Sequence, residues 1–120
     1  MKKPTDPRHL ARIKIVEELF AQSFASQKKL SSKTKDIIKN LNIIDQAISL
    51  AAPQWHISKI AKIDLAILRL SVYELYIDKR EPIKVIIDEA VEIAKSYGND
   101  KSPSFINGVL ATIVKKEKNE

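Results

Sequence analysis

Residues 58–78, SKIAKIDLAILRLSVYELYID, decide the fold of this chain. Apolar side chains recur at helical spacing along one side of the stretch, and further apolar residues occupy its other sides. A helix that is apolar nearly all round belongs in the middle of a domain. Asp64, Arg69 and Glu74 interrupt the pattern. We expect each of them to pair or to reach an edge, because an unpaired buried charge is costly.

A first helix is predicted before this central one. Asp6 and Pro7 mark its start, since Asp caps a helix and Pro is tolerated at the first helical position. Apolar residues then recur every three or four positions, which predicts a single apolar face. The members of this face are Ile13, Val16, Phe20 and Phe24.

Proline, serine and glycine positions delimit the other blocks. A second helix follows Ser31 and Ser32 and ends before Pro53. Ile43 and Leu50 fall off its apolar face, which predicts contact with a neighbour on a second side. A fourth helix opens after Pro82 and a fifth at Ser102-Pro103. Gly98 stands between these two, where a left-handed residue would end a helix.

Length and composition limit the fold class. The 120 residues are the length of one domain, so we expect a single domain over 1–120. Few glycines, few aromatics and no strand pattern favour a compact all-α bundle of about five helices. The absence of cysteine excludes disulfides, thiolate zinc sites and a cysteine nucleophile. No apolar run approaches the ~20 residues of a membrane span, so we expect a cytoplasmic protein with no membrane contact.

The positive charge is concentrated in one part of the chain. Residues 1–40 hold 10 Lys and Arg against 4 Asp and Glu, and this third accounts for the whole net charge of +6. A basic segment of this kind indicates a polyanionic partner, with nucleic acid ahead of membrane. Arg8 and Arg12 lie one helical turn apart, where two guanidinium groups could grip successive phosphates. A solvated helix start is the alternative.

Enzyme sites are poorly represented. Asp88, Glu89 and Glu92 could supply an acid and a base, but a solvated helix face is the simpler explanation. His9 and His56 lack further ligands at metal spacing, so we expect no metal and no cofactor. Gly108 stands inside a predicted helix, where it costs about 1 kcal/mol against Ala. Close approach of another helix would explain it.

Several stretches resemble the NusB family of bacterial transcription antitermination factors. They occur in the family's order and spacing, and the set is specific although no single string is. The first helix is also similar, through Arg8, Ala11, Arg12, Leu19 and Phe20. The matching stretches are 52–55 (APQW), 60–70 (IAKIDLAILRL), 73–75 (YEL), 82–85 (PIKV), 88–95 (DEAVEIAK) and 105–110 (FINGVL).

The resemblance implies a NusB-like bundle without enzymatic activity. Proteins of this family pair with NusE, a small-subunit ribosomal protein, and bind single-stranded boxA RNA in the transcription of ribosomal RNA. Contact with the RNA polymerase antitermination complex is implied indirectly, and a homodimer is compatible with the family.

The same resemblance assigns candidate site residues. The RNA-binding positions that match are Arg8, Arg12, Phe20 and Phe105, and we add Lys101, next to the last helix, as a further RNA-binding candidate. Asp64 matches a position that faces the protein partner. A buried polar set that holds the helices together is expected from Arg69, Glu74, Glu89 and Asn107.

Departures from the family pattern leave alternatives open. His9 and Leu10 stand where the family often has arginines, Asp100 and Lys101 replace an acidic pair, and the region before Trp55 is shortened. The first alternative is a helical protein-interaction module with weak or lost RNA binding. The second is the detached RNA-binding domain of an RNA cytosine methyltransferase.

Overall fold

The computed structural model describes residues 6–118, and every regular element in that range is helical. The all-α prediction is confirmed, with six helices in place of about five. None of these helices is long and apolar enough to cross a lipid bilayer. The helices are α1 (Pro7–Gln22), α2 (Ser32–Lys39), α3 (Leu41–Ala51), α4 (Lys62–Tyr73), α5 (Ile83–Tyr97) and α6 (Ser102–Lys118).

Helix α4 lies at the centre of the bundle, as its sequence predicts. It packs against α1, α3, α5 and α6, and nine of its side chains are buried. Its limits differ from the predicted 58–78. A 3₁₀ turn, Ile57–Lys59, precedes it, and a π-helical turn, Glu74–Asp78, follows it. Lys79 ends that turn with a left-handed φ of 55° and donates its N–H to the Glu74 carbonyl at 2.9 Å.

The second predicted block is two helices. Asn40 separates α2 from α3 with φ −107° and ψ 15°, and its side chain donates to the Asp36 carbonyl at 2.7 Å. This local hydrogen bond competes with helix continuation. Helix α3 packs against both α4 and α6, but the Ile43 and Leu50 side chains are exposed and no element within residues 6–118 covers them.

Helix α1 begins where it is predicted to begin. The Asp6 side chain accepts from the N–H of Arg8 at 2.9 Å, and Pro7 is the first helical residue. Phe24 lies beyond the end of the helix and is 64% exposed, so its assignment to the apolar core face was wrong. The spacing of apolar residues in the sequence continues to Phe24, although the helix itself ends at Gln22.

Arg12 joins three elements in the interior. Only 7% of it is exposed. Its Nε and Nη2 donate to the two Glu74 oxygens at 2.9 and 2.8 Å, and Nη1 donates to Glu89 at 3.0 Å. His9 Nδ1 lies 3.1 Å from Glu89 Oε2. The prediction that Arg12 is a phosphate contact was wrong, because both faces of its guanidinium fork are taken by buried carboxylates.

Electrostatics keep the Arg12 guanidinium charged. Burial by itself would lower the pKa of Arg12, but the hydrogen bonds and charge of Glu74, followed by those of Glu89, outweigh it and raise the pKa. The guanidinium therefore stays charged, and it offsets two carboxylates that would be costly to bury alone.

The other predicted polar-core residues divide. Arg69 is largely buried and donates to both oxygens of Asp45 on α3, at 3.0 and 2.8 Å. Asn107 is exposed on α6, so its assignment to the interior was wrong. Its exposure follows from the helical register of α6, because Ile106, Val109 and Leu110 occupy the inner side of that helix.

A half-buried carboxylate, Glu18, ties α1 to the start of α2. Glu18 accepts from the hydroxyls of Thr34 and Ser31 at 2.6 and 2.8 Å. Burial would raise the pKa of Glu18, but these hydrogen bonds outweigh it and lower the pKa. The charged form of Glu18 therefore favours the docking of α2 on α1.

The two glycines have different roles from those predicted. Gly98 ends α5 with φ −91°, which is not left-handed. A Cβ there would lie 2.4 Å from Ser102 Oγ, which accepts from the Asn99 N–H, so the missing side chain makes room for Ser102. A Cβ on Gly108 would meet nothing within 4 Å. The predicted close approach of a helix at Gly108 was therefore wrong.

We expect Arg12→Leu to lower the free energy of unfolding by about 3–5 kcal/mol, because it leaves Glu74 and Glu89 buried without their partner. Urea unfolding followed by circular dichroism measures this. Arg8→Leu is the matched control, since Arg8 lies one turn earlier, is exposed and makes one 3.3 Å contact with Glu81. Equal losses in both variants would contradict the assignment.

The glycines provide a second test. We expect Gly108→Ala to raise the free energy of unfolding by about 0.5–1 kcal/mol, because Ala restricts the unfolded chain and meets open space in the helix. Gly98→Ala should lower it, because the new methyl group would displace Ser102. Thermal unfolding of both variants checks the opposite signs, and a stabilising Gly98→Ala would refute the packing argument.

Candidate nucleic-acid interface

The predicted RNA-binding residues of α1 lie at opposite ends of the helix. Arg8 is in the first turn and is exposed, while Phe20 is half-buried near the last turn. A rise of 1.5 Å per residue separates them by about 18 Å along the axis. Arg8 stands beside Glu81, in the segment between α4 and α5. The structure therefore does not bring Arg8 and Phe20 into one site.

Phe20 belongs to an aromatic group at the end of α1. Its ring centroid is 5.0 Å from that of Phe24, with the rings edge to face. Lys62, the first residue of α4, places its Nζ 5.4 Å from the Phe24 ring centroid. This is a cation–π arrangement. Because Arg12 meets the end of α4 and Phe24 meets its beginning, α1 and α4 run antiparallel.

A second aromatic pair lies near the beginning of α4. Trp55 and Phe105 meet edge to face with centroids 6.3 Å apart. Trp55 is 47% exposed, and Phe105 is half-buried at the start of α6. The two rings line a cleft of about 240 Å³ whose other lining residues are Lys59, Ile60, Ala61, Asp64, Asn99 and Lys101. Ala61 directly precedes Lys62, so the aromatic groups flank the same helix start.

The turn between α5 and α6 sets the position of Lys101. The Lys101 N–H donates to Asn99 Oδ1 at 2.8 Å, and the Asn99 N–H donates to Ser102 Oγ at 3.0 Å. This paired capping fixes the backbone on which Lys101 stands at the rim of the cleft. Its side chain is exposed, as is that of Lys59 on the 3₁₀ turn.

We name these residues the aromatic–lysine surface. It carries two strongly exposed rings with three ammonium groups beside them, which is the composition of a platform for single-stranded nucleic acid. The members are Phe20, Phe24, Trp55, Lys59, Lys62, Lys101 and Phe105. Phe20, Lys101 and Phe105 are on the predicted list, and the other four are not.

Asp64 is the buried polar residue of this surface. It lies in the first turn of α4 and is 6% exposed. Its Oδ1 has no hydrogen-bond partner among the described residues. Arg69 and Glu74, which also interrupt the apolar pattern of the central stretch, both have partners of opposite charge. The expectation that Asp64 pairs or reaches an edge therefore fails for this oxygen.

In the part of the chain that the structure describes, no group of three or more His, Cys, Asp or Glu side chains lies close enough together to hold a metal ion. The acidic residues that sequence analysis weighed as an acid and base also separate. Glu89 is buried against Arg12, while Asp88 and Glu92 face outward.

The fold places the chain in the class of small all-helical bundle proteins. The family model described as NusB family matches residues 9–115. The chain therefore belongs to the NusB family, and the resemblance found in its sequence is confirmed.

Named relatives and a solved structure agree. The chain is 39% identical over 108 residues to a Nitratiruptor protein, with 83% of this chain and 77% of that protein aligned. It is 51% identical over 75 residues to a Roseiflexus castenholzii protein, with 61% of this chain aligned. Both carry the name transcription antitermination protein NusB, which is not the name of an enzyme. The structure of T. maritima NusB superposes with a TM-score of 0.79 at 34% identity over 99% of each chain.

The alignments differ in extent. The Roseiflexus castenholzii match spans 53% of that protein, and the match to the Pseudothermotoga lettingae protein spans 58%. The most similar segments therefore cover a little over half the length of these relatives.

Proposed function

We propose that this chain is a transcription antitermination factor that binds single-stranded RNA through the aromatic–lysine surface and has no enzymatic activity. The observation that carries the RNA part is the exposure of Phe24 and Trp55 beside Lys59, Lys62 and Lys101. Large exposed rings next to ammonium groups provide stacking for bases and attraction for phosphates. The names of the family relatives support the transcriptional role.

The finer parts of the proposal rest on the family resemblance. They are boxA-type RNA as the ligand, NusE as the protein partner, ribosomal RNA operons as the setting and the cytoplasm as the location. The contact between NusE and Asp64 and a homodimer remain predictions. Arg8 remains a candidate phosphate contact, far from the aromatic–lysine surface.

The rival is a protein-interaction module that has lost RNA. The burial of Arg12 favours it, because the first helix then keeps one exposed arginine, Arg8, where two were predicted. A direct titration separates the two proposals. Fluorescently labelled boxA-type RNA is titrated by polarisation with the protein, alone and with NusE, at two salt concentrations.

We expect Lys62→Ala/Lys101→Ala to weaken RNA binding about 10-fold or more at low salt. Each lost phosphate contact should also reduce the slope of log affinity against log salt by roughly 0.7. The control is Lys35→Ala/Lys84→Ala, which removes the same charge from exposed positions on α2 and α5. Equal weakening by both pairs would show that RNA binding depends on the overall positive charge and not on the aromatic–lysine surface. Wild-type protein that fails to bind with or without NusE would favour the rival.

Stacking is tested separately from charge. We expect Phe24→Ala to weaken RNA binding by about 1–3 kcal/mol, the usual contribution of one base–aromatic stack. Phe24→Tyr should retain most of the affinity, since it keeps the ring. The free energy of unfolding should change little, because most of the Phe24 side chain is already in water. Unchanged polarisation curves for Phe24→Ala would remove this ring from the surface.

A further inference from the structure

The cleft of the aromatic–lysine surface is lined by Asp64, whose Oδ1 no donor of residues 6–118 satisfies. Asp64 is 6% exposed, and within the described part of the chain its Oδ1 is closed to solvent and has no hydrogen-bond partner. An unsatisfied buried acceptor is costly, and a carboxylate is costlier than a neutral group. Its position in the first turn of α4 gives it the favourable end of the helix dipole, but no hydrogen bond to Oδ1.

The cleft has the size and walls for one planar ring system. Its volume of about 240 Å³ is below the ~300–1,000 Å³ of sites for drug-sized ligands. Trp55 and Phe105 form an aromatic wall, and Ile60 and Ala61 add apolar surface. Asp64 is a lining residue of the cleft, and because rotation about its Cβ–Cγ bond is soft, its carboxylate can adjust to a donor on a ligand there.

The charges distinguish between two kinds of occupant. Lys59 and Lys101 line the cleft together with Asp64, so its lining residues carry a net positive charge. Two ammonium groups repel a lysine or arginine inserted by a protein partner. They attract the phosphate of a nucleotide whose base enters between them. The observations therefore favour a nucleobase over a cationic side chain.

The base must offer a donor to Asp64 and acceptors to the lysines. Guanine does both, since its N1–H and N2–H₂ lie on one edge and its O6 and N7 accept on the next. Uracil presents carbonyl oxygens on both sides of its single N–H, and a carboxylate repels them. Adenine and cytosine each give the carboxylate one amino donor where guanine gives two donor groups, and the ring nitrogen beside that amino group is an acceptor, which a carboxylate repels.

We propose that the cleft between Trp55 and Phe105 is a guanine-selective base pocket, with Asp64 accepting from the Watson–Crick edge and Lys101 or Lys59 donating to the O6–N7 side. The proposal rests on the proposed RNA function and adds a base preference to it. Asp64 then faces RNA rather than the protein partner to which the family resemblance assigns it.

The chain carries its own reporter for this pocket. Trp55 is its only tryptophan, so intrinsic fluorescence excited at the red edge of indole absorption reports on the cleft. The full chain is titrated with the 5′-monophosphates of guanosine, adenosine, cytidine and uridine in parallel. We expect saturable quenching by the guanosine nucleotide with an affinity about 10-fold above that for the uridine nucleotide.

Asp64→Asn should abolish this preference, because an amide in the same place presents a donor as well as an acceptor. Asp100→Asn is the control with the same charge change at an exposed position next to Lys101. Circular dichroism and thermal unfolding establish that both variants fold. A purely structural Asp64 would change the unfolding temperature and leave the ratio between nucleotides unaltered, and that result would overturn the proposal.

A second measurement keeps this proposal separate from the RNA function. Ten-residue uridine oligonucleotides, one unmodified and three with a single central guanosine, adenosine or cytidine, are titrated by polarisation. We expect the guanosine oligonucleotide to bind about 10-fold more tightly, and Asp64→Asn to remove that difference. Equal binding of all four would overturn the base pocket while RNA binding stands. An absence of any RNA binding would count against the function, and the nucleotide titration would still decide the pocket.

N-acetylarginine amide is the last probe in the fluorescence titration. If it quenches Trp55 in an Asp64-dependent way and the guanosine nucleotide does not, the cleft takes a cationic side chain of a protein and the nucleobase proposal is wrong.

Discussion

The buried ion cluster around Arg12 is the constraint on which the rest of the bundle depends. Glu74 stands in the π turn after α4, Glu89 lies inside α5, and Arg12 projects from α1, so one guanidinium joins three separate elements. Burying this arginine without its carboxylates, or the carboxylates without it, would leave an unpaired charge in a medium of low polarity. The relative positions of α1, α4 and α5 are therefore set by geometry and charge together, beyond what apolar packing alone specifies.

The same cluster disfavours a nucleic-acid site at the start of α1 and favours one at the other end of that helix. With Arg12 committed to the interior and Arg8 beside Glu81, α1 contributes little free positive charge at its start. The basic surplus of residues 1–40 thus overstates the charge available there. Lys33 is also engaged, at 3.4 Å from Asp78. The ammonium groups that border the exposed aromatic rings come from outside that third of the chain, at Lys59, Lys62 and Lys101.

Helix positions were predictable from the sequence, while the fates of individual side chains often were not. The all-round apolar pattern of α4 requires burial on every side, and the structure places α4 at the centre of the bundle. A spacing of four residues places Arg8 and Arg12 on one side of α1. Helical register alone does not tell which of the two arginines meets buried carboxylates, because Glu74 and Glu89 lie 62 and 77 residues further along the chain than Arg12. The same limit applies to Phe24, whose register is helical although its backbone is not.

Pairing information was missing for the site as well. The sequence resemblance supplied Phe20, Lys101 and Phe105, which the structure places at the same end of the bundle. Trp55, Lys59 and Lys62 lie before or at the start of α4, where no periodic pattern indicates which way a side chain points. Only the crossing of α1 with α4, and of α6 with the segment before α4, brings these residues next to the rings.

Departures from local rules fall into two groups, and only one of them is explained by folding. The π turn and the left-handed Lys79 are unfavourable locally, yet they hold Glu74 against Arg12, and the ion cluster offsets their cost. No stabilising contact within the described residues offsets the cost of the second group. Phe24 and Trp55 leave large apolar areas in water, and Asp64 leaves an acceptor unsatisfied. Natural proteins tolerate conflicts of this kind mainly where a ligand resolves them. Their meeting at the start of α4 is the physical reason to assign the binding function there and not to the basic start of α1.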